Sequence, residues 1–110
     1  MGASKIELFT SHQNQMAMIA KALGHPARIA IIEYLISVDT CICGDIVEQL
    51  TLAQPTVSQH LRELKNAGLI KGSIEGSAIC YCVDKKALQK IQSYFLGLSS
   101  KLEHKLNNCC

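Results

Sequence analysis

The spacing of apolar residues changes twice along the chain: helical at first, alternating over about 69–83, and helical again to the end. Thr10 or Ser11 can cap a first helix over about 10–23, with Met16, Ile19, Ala20 and Leu23 on its apolar side. Gly24 ends it. Pro26 suits the first turn of a second helix, where its missing N–H costs nothing. Ile29, Ala30, Ile32, Tyr34, Leu35 and Ile36 make that helix apolar nearly all round, which predicts the buried centre of the domain. A short third helix covers about 43–50, with Ile46, Val47 and Leu50 inward, and Thr51-Leu52-Ala53 is a turn. The fourth helix starts near Gln54-Pro55. Val57, Leu61 and Leu64 recur at helical spacing and face the core, and Gly68 supplies a left-handed stop.

Two strands then flank a turn at Glu75-Gly76, with Ile79, Tyr81 and Val83 on one face and Cys80 and Cys82 on the other. From Asp84 a last helix runs over about 84–106. Its apolar positions, Leu88, Ile91, Phe95, Leu98, Leu102 and Leu106, advance by three or four residues and form a narrow seam. A small domain cannot cover such a seam by itself, so the seam predicts pairing with a second chain. The fold class is therefore mainly α with a β-hairpin. A helix-turn-helix over about 43–67 is followed by a wing over about 69–83, which makes a winged helix-turn-helix.

Composition narrows the picture. The chain has 110 residues, 48% of them apolar, which suffices for a single domain over 1–110, and no repeat or linker divides it. Trp is absent, so the core is mostly aliphatic. A net charge of only +2 makes any basic surface local. Residues 1–20 lack the apolar core and cleavage site of a signal peptide. No apolar run approaches the ~18 residues of a membrane span. These features predict a cytoplasmic protein with no membrane partner. In a reducing compartment six cysteines call for a reason, and they fall into three close pairs: Cys41/Cys43, Cys80/Cys82 and Cys109/Cys110. Such pairing favours metal ligation or thiol redox chemistry over a structural disulfide framework. A plain apolar role remains the alternative, most of all for Cys80/Cys82.

The fourth helix keeps polar residues away from the core. The second helix of a helix-turn-helix reads base edges from its N-terminal half. Gln54, Thr56, Ser58, Gln59 and His60 fall in that half. Gln can pair with adenine in bidentate fashion, and Ser or Thr can serve bases or phosphates. Arg62, Lys65 and the wing's Lys71 suit phosphates, which fix register and make affinity salt-dependent.

At these residues the chain resembles a known family. Gln54-Pro55-Thr56-Val57-Ser58-Gln59-His60-Leu61, then Leu64 and Ala67-Gly68-Leu69-Ile70, is similar to the recognition-helix signature of the ArsR/SmtB family of bacterial metal-sensing repressors. Leu23-Gly24-His25-Pro26-Ala27-Arg28 resembles that family's junction into its second helix. The resemblance covers about residues 15–95. It implies a homodimer joined through its first and last helices, bound to imperfect palindromes in double-stranded operator DNA and released by an inducer. Members of the family usually carry arginines in the wing. Here the wing has Lys71 and an acidic tip at Glu75, so recognition is expected to depend more on the helix from Gln54 to Lys65.

Cys41-Ile42-Cys43-Gly44-Asp45 is similar to the family's Cys-x-Cys site at the start of its third helix, used by arsenite, cadmium and lead sensors. Thiolates prefer soft or borderline ions, and the positive end of a helix favours the thiolate. Arsenite and antimonite take three sulfurs in a pyramid. The resemblance puts the third where this chain has Ile46, so it is sought in Cys109 or Cys110 on the tail, after Asn107 and Asn108. Cys80/Cys82 can form a separate two-sulfur site. The family's zinc site on the last helix is expected to be absent, because only Glu103 and His104 stand there. The cadmium variant with cysteines on an N-terminal arm is likewise expected to be absent, because no cysteine precedes Cys41. His12, His25 and His60 fit capping, packing or DNA contact better than ligation.

The expectation is a repressor, not an enzyme. It needs no obligatory cofactor and is released by As(III), Sb(III) or another soft ion such as cadmium or lead at Cys41, Cys43, Cys109 and Cys110. The nearest rival keeps the DNA binding and senses persulfides or oxidants through Cys41 with Cys109 or Cys110. A thiol enzyme or metallochaperone fits less well: Cys-x-Cys is not Cys-x-x-Cys, and no phosphate loop or nucleophile elbow is present. A winged helix used only for protein contact is a further alternative.

Overall fold

The computed structural model describes residues 7–38, 46–75 and 78–105. Its elements in chain order are α1 (Ser11–Leu23), α2 (Pro26–Ser37), α3 (Ile46–Leu50), α4 (Gln54–Asn66), β1 (Ile70–Glu75), β2 (Ala78–Val83) and α5 (Lys85–His104). Local chemistry sets most of these boundaries. Thr10 Oγ1 accepts from the Gln13 N–H, and Gln13 Oε1 accepts from the Thr10 N–H, each at 3.0 Å. This reciprocal capping box satisfies donors that the first turn leaves open. His25 caps α2 ahead of Pro26, its Nδ1 accepting from the Ala27 N–H at 3.0 Å. Asp84 caps α5 by accepting from the Lys86 and Ala87 N–H groups at 2.9 and 3.3 Å.

The end of α4 is a Schellman motif. Gly68 takes φ +78, the Leu69 N–H donates to the Leu64 carbonyl at 3.0 Å, and the Gly68 N–H donates to the Lys65 carbonyl at 3.0 Å. Leu64 and Leu69, which flank this stop, are both fully buried. The hydrophobic contact expected across such a stop thus lies within the core.

That core holds Met16 and Ile19 of α1, Ile31, Ile32 and Leu35 of α2, Ile46 of α3, Val57, Leu61 and Leu64 of α4, and Ile91 of α5. Each such aliphatic side chain contributes ~1.5–3 kcal/mol on burial. The hairpin pairs antiparallel with Ile70 opposite Val83 and Ile74 opposite Ile79. β1 packs on α4 and β2 on α2, while α5 returns to α1. Together these elements form a winged helix-turn-helix, in which α3, the turn through Thr51 and α4 are followed by the wing.

Two details differ from the sequence-based expectation. On α1 the third inward residue is Ala22, while Ala20 is exposed. Ala20 stands ~100° round the helix from Ile19, whereas Ala22 stands only ~60° from it on the other side. The second helix is not covered all round: Ile29 and Ile36 are exposed on α2, because its neighbours reach only the Ile31, Ile32 and Leu35 side. On β2 neither face is wholly inward: Cys80 is buried and Ile79 exposed, while Tyr81 and Val83, on the Ile79 face, pack against the core. Strand alternation separates the two sets but does not say which residues are covered.

The last helix is packed at one end only. Ala87 and Ile91 are buried, whereas Phe95, Leu96, Leu98 and Leu102 are exposed. Leu106 lies outside the described residues.

Candidate nucleic-acid interface

α4 is strongly two-sided. Val57, His60, Leu61 and Leu64 are buried, while Gln54, Thr56, Ser58, Gln59, Arg62 and Lys65 are exposed. The helix starts without a side-chain cap at Ala53 and relies on Pro55 in its first turn. This leaves the N-terminal N–H groups and the polar residues of the first two turns together at one end. Gln54 and Ser58 border a cleft of about 250 Å3 shared with Ile46, Val47, Ile79 and Tyr81, so the wing and α3 flank the start of α4.

The cations sit farther along. Arg62 donates to Gln59 Oε1 at 2.8 Å, which holds the Gln59 amide in one orientation on the outer face. A Cβ added at Gly72 would come within 3.3 Å of the Ile79 and Tyr81 side chains and 3.6 Å of Lys65 Nζ. The Lys65 ammonium therefore reaches over β1 beside this glycine. Lys71 on the wing is 71% exposed and lies 3.8 Å from Asp84 Oδ2, a loose pair that tethers the wing to the start of α5. Gln59, Arg62, Lys65 and Lys71 thus offer an amide and three cations on the outer surface of α4 and β1, suited to base edges and phosphates respectively.

His60 is the exception among the predicted reading residues, because its ring is turned inward. Arg28 Nε donates to His60 Nδ1 at 3.1 Å, and the His25 ring lies 4.4 Å from the His60 ring at a tilt of 50°. Burial, the neighbouring His25 and then Arg28 hold the His60 pKa below its ordinary 6.5. The position could have been placed from spacing, since His60 stands three residues after Val57 and four before Leu64, on the apolar stripe itself. Arg28 carried no signal of its own in the sequence. The other predicted histidines cap and pack: His25 caps α2, and His12 of α1 meets Tyr94 of α5 edge-on at 5.5 Å.

The predicted sulfur ligands Cys41, Cys43, Cys109 and Cys110 lie outside the described residues. Cys80 and Cys82 on β2, expected as a two-sulfur site or as plain apolar residues, each take part in a disulfide instead. Among the described residues, no group of three or more His, Cys, Asp or Glu is placed to hold a metal ion. Among them, no helix is long and apolar enough to cross a membrane.

Comparison with known proteins agrees with this geometry. A family model described as bacterial regulatory protein, arsR family, matches residues 25–71, which run from the cap of α2 into the wing. An HTH-type transcriptional regulator of Methanocaldococcus jannaschii is 38% identical over 78 residues, covering 69% of this chain and 86% of that one. The HTH-type transcriptional repressor SmtB of Mycobacterium tuberculosis is 40% identical over 63 residues, 57% of this chain, and the match spans only 46% of that repressor. Among solved structures, an ArsR family transcriptional regulator superposes with a TM-score of 0.78 at 17% identity, covering 89% of this chain and 100% of the other.

Proposed function

This chain belongs to the arsR family of bacterial regulatory proteins, and we propose that it acts as a homodimeric repressor. In this reading α4 binds operator DNA, and the dimer lets go when arsenite or antimonite is held at Cys41 and Cys43. The observation that carries the DNA half is the two-sidedness of α4: a polar, cation-bearing outer face on a helix anchored from behind by Val57, Leu61 and Leu64. Gln54, Thr56, Ser58 and Gln59 are the base readers in this reading, and Arg62, Lys65 and Lys71 hold phosphates. The dimer half is supported by the bare seam of Phe95, Leu98 and Leu102 on α5.

The inducer half draws on chemistry. Two thiols one residue apart, just ahead of α3, suit a soft ion that takes sulfur ligands. Cys109 or Cys110 supplies the third sulfur in this reading. α5 ends at His104 and Lys105 is already extended, so the chain has left the helix before those residues. A strain applied ahead of Ile46 has a route to the reading head. Ile46 is buried in the same core as Val57 and Leu61 and shares a cleft with Gln54 and Ser58. An inducer moves the equilibrium only by its preference for the released state, ~1–3 kcal/mol of coupling in typical systems.

A second reading keeps the repressor and changes the signal to persulfide or oxidant. The disulfide-bonded state of Cys80 and Cys82 favours it, since it puts sulfur redox chemistry on the wing. One experiment decides between them. Release from labelled operator DNA is followed while arsenite, cadmium, lead or a persulfide donor is added to the native chain and to Cys41→Ser and Cys43→Ser. Arsenite release that both substitutions abolish supports the first reading. Arsenite release that survives them rules out the Cys41/Cys43 site.

A further inference from the structure

Three helices meet at the guanidinium of Arg28. Its Nε donates to His60 Nδ1 at 3.1 Å, and its Nη1 donates to the Ala22 carbonyl at the end of α1 at 3.4 Å. Arg28 itself stands in the first turn of α2, one turn from His25, whose ring packs on His60. His60 lies at the middle of α4, next to Gln59 and two residues before Arg62, and only 8% of it is exposed. A ring nitrogen that accepts a hydrogen bond carries no proton. This arrangement therefore exists only with neutral His60, its proton on Nε2.

Resting on the reading of α4 as the DNA-reading helix, we infer that Arg28 is a positioning residue for operator recognition: through His60 Nδ1 it fixes the seating of α4, and tight binding requires that nitrogen to stay unprotonated. Rotation of α4 about its axis would swing Gln54, Ser58 and Gln59 off the base edges together. A buried contact on the far side of the helix is where such rotation can be stopped. Val57, Leu61 and Leu64 resist withdrawal of the helix, but apolar packing is non-directional. The Arg28 bond adds direction.

Protonation of Nδ1 undoes the latch in two ways at once. It turns the acceptor into a donor aimed at another donor, and it puts a positive charge against the guanidinium and beside His25. From α1, Lys21 lines with Arg28 the adjoining cleft of about 180 Å3, and Glu63 joins it from α4. Glu48 on α3 and Lys71 on β1 are exposed. The neighbours that act on His60 directly, His25 and Arg28, both disfavour its charged form, as does burial. The sign of the pH effect is therefore diagnostic. Acid makes exposed histidines positive and should strengthen attraction to phosphates. The latch predicts the reverse.

The test titrates the full chain into a rhodamine-labelled duplex of the DNA immediately upstream of its own gene. Anisotropy is read at low salt, at about pH 7.5 and about pH 5.5, either side of the histidine range. The native chain should bind more weakly at the lower pH, by up to about tenfold for a histidine that titrates below 6.5, and Arg28→Met should weaken binding about ten- to a hundredfold at the higher pH, the loss expected for a hydrogen bond from a charged donor. His60→Asn keeps, at the position of Nδ1, an acceptor oxygen that does not titrate. It should bind within about threefold of the native chain at the higher pH and lose the acid decline, a rescue that a merely space-filling role would not give. In parallel, the His60 ring protons are titrated by NMR in the DNA-free chain, and their midpoint should rise in Arg28→Met. Acid-strengthened or pH-independent binding by the native chain, native-like binding by Arg28→Met, or an unmoved His60 midpoint would each overturn the inference. If the native chain ignores the duplex altogether, the DNA-binding reading fails and takes the operator role with it. The ring titration then tells that failure apart from the absence of an Arg28–His60 link.

Discussion

The exposed half of α5 makes the sharpest quantitative prediction. Leu98 and Leu102 are 44% and 67% exposed in the single chain. Full burial of a leucine side chain contributes ~2 kcal/mol, so covering what remains exposed yields ~1 kcal/mol at each site. A two-fold interface uses every residue twice. The double substitution Leu98→Ala and Leu102→Ala should therefore cost the dimer ~4–5 kcal/mol and raise its dissociation constant by about three orders of magnitude. The monomer should remain folded, since neither side chain belongs to the buried core. Sedimentation velocity over a wide concentration range reads the association, and circular dichroism with urea unfolding checks the fold. An unchanged dissociation constant with a native-like monomer would refute the reasoning, because the seam would then not be the dimer contact. A native chain that stays monomeric at high concentration would refute the dimer itself.

Other outcomes follow from the same structure. Leu64→Ala removes a fully buried side chain at the foot of the Schellman stop and should cost ~3–5 kcal/mol, read as a lower urea midpoint. Asp84→Ala removes the double cap of α5 and should cost ~1 kcal/mol in the same assay, with the wing's Lys71 losing its partner as well. Stability should also fall in acid. Folded His60 titrates below its ordinary 6.5, so the unfolded chain binds more protons. The contribution is complete above ~6.5 and is lost as pH falls below it. Urea unfolding across that range should show the decline, and His60→Asn should flatten it. Arg62→Ala should weaken binding to every duplex and lower the salt dependence by about one counterion per protomer, whereas Gln59→Ala should relax sequence preference without changing the salt dependence.

Much of the fold could be read from the chain because its boundaries are locally determined. The Thr10 capping box, Pro26 at the head of α2 and Gly68 at the foot of α4 act within a few residues of themselves, so steric rules suffice to find them. The Val57, Leu61 and Leu64 stripe fixed which face of α4 turns outward. What escaped depends on distant neighbours. Ile29 and Ile36 look like core residues until α2 is seen to be covered on one side. His60 looked like a reading residue because a histidine is polar. The spacing from Val57 to Leu64 puts it on the buried stripe, but its partner Arg28 stands 32 positions earlier and no local pattern announces that contact. Which residues of β2 are covered depends on how the hairpin lies on α2, which alternation alone leaves open.

The wing passes into α5 with almost no slack. β2 closes at Val83, α5 opens at Lys85, and the single residue between them both caps the helix and leans on Lys71. If α5 joins two copies, as proposed, each hairpin is then a rigid arm on the joining helix. The pair behaves like a calliper whose jaw width is governed by the crossing angle at its pivot. Such an instrument has no need of a deformable reading surface. A small scissoring far from the duplex is enough to put the two jaws out of step with a helical repeat of ~34 Å.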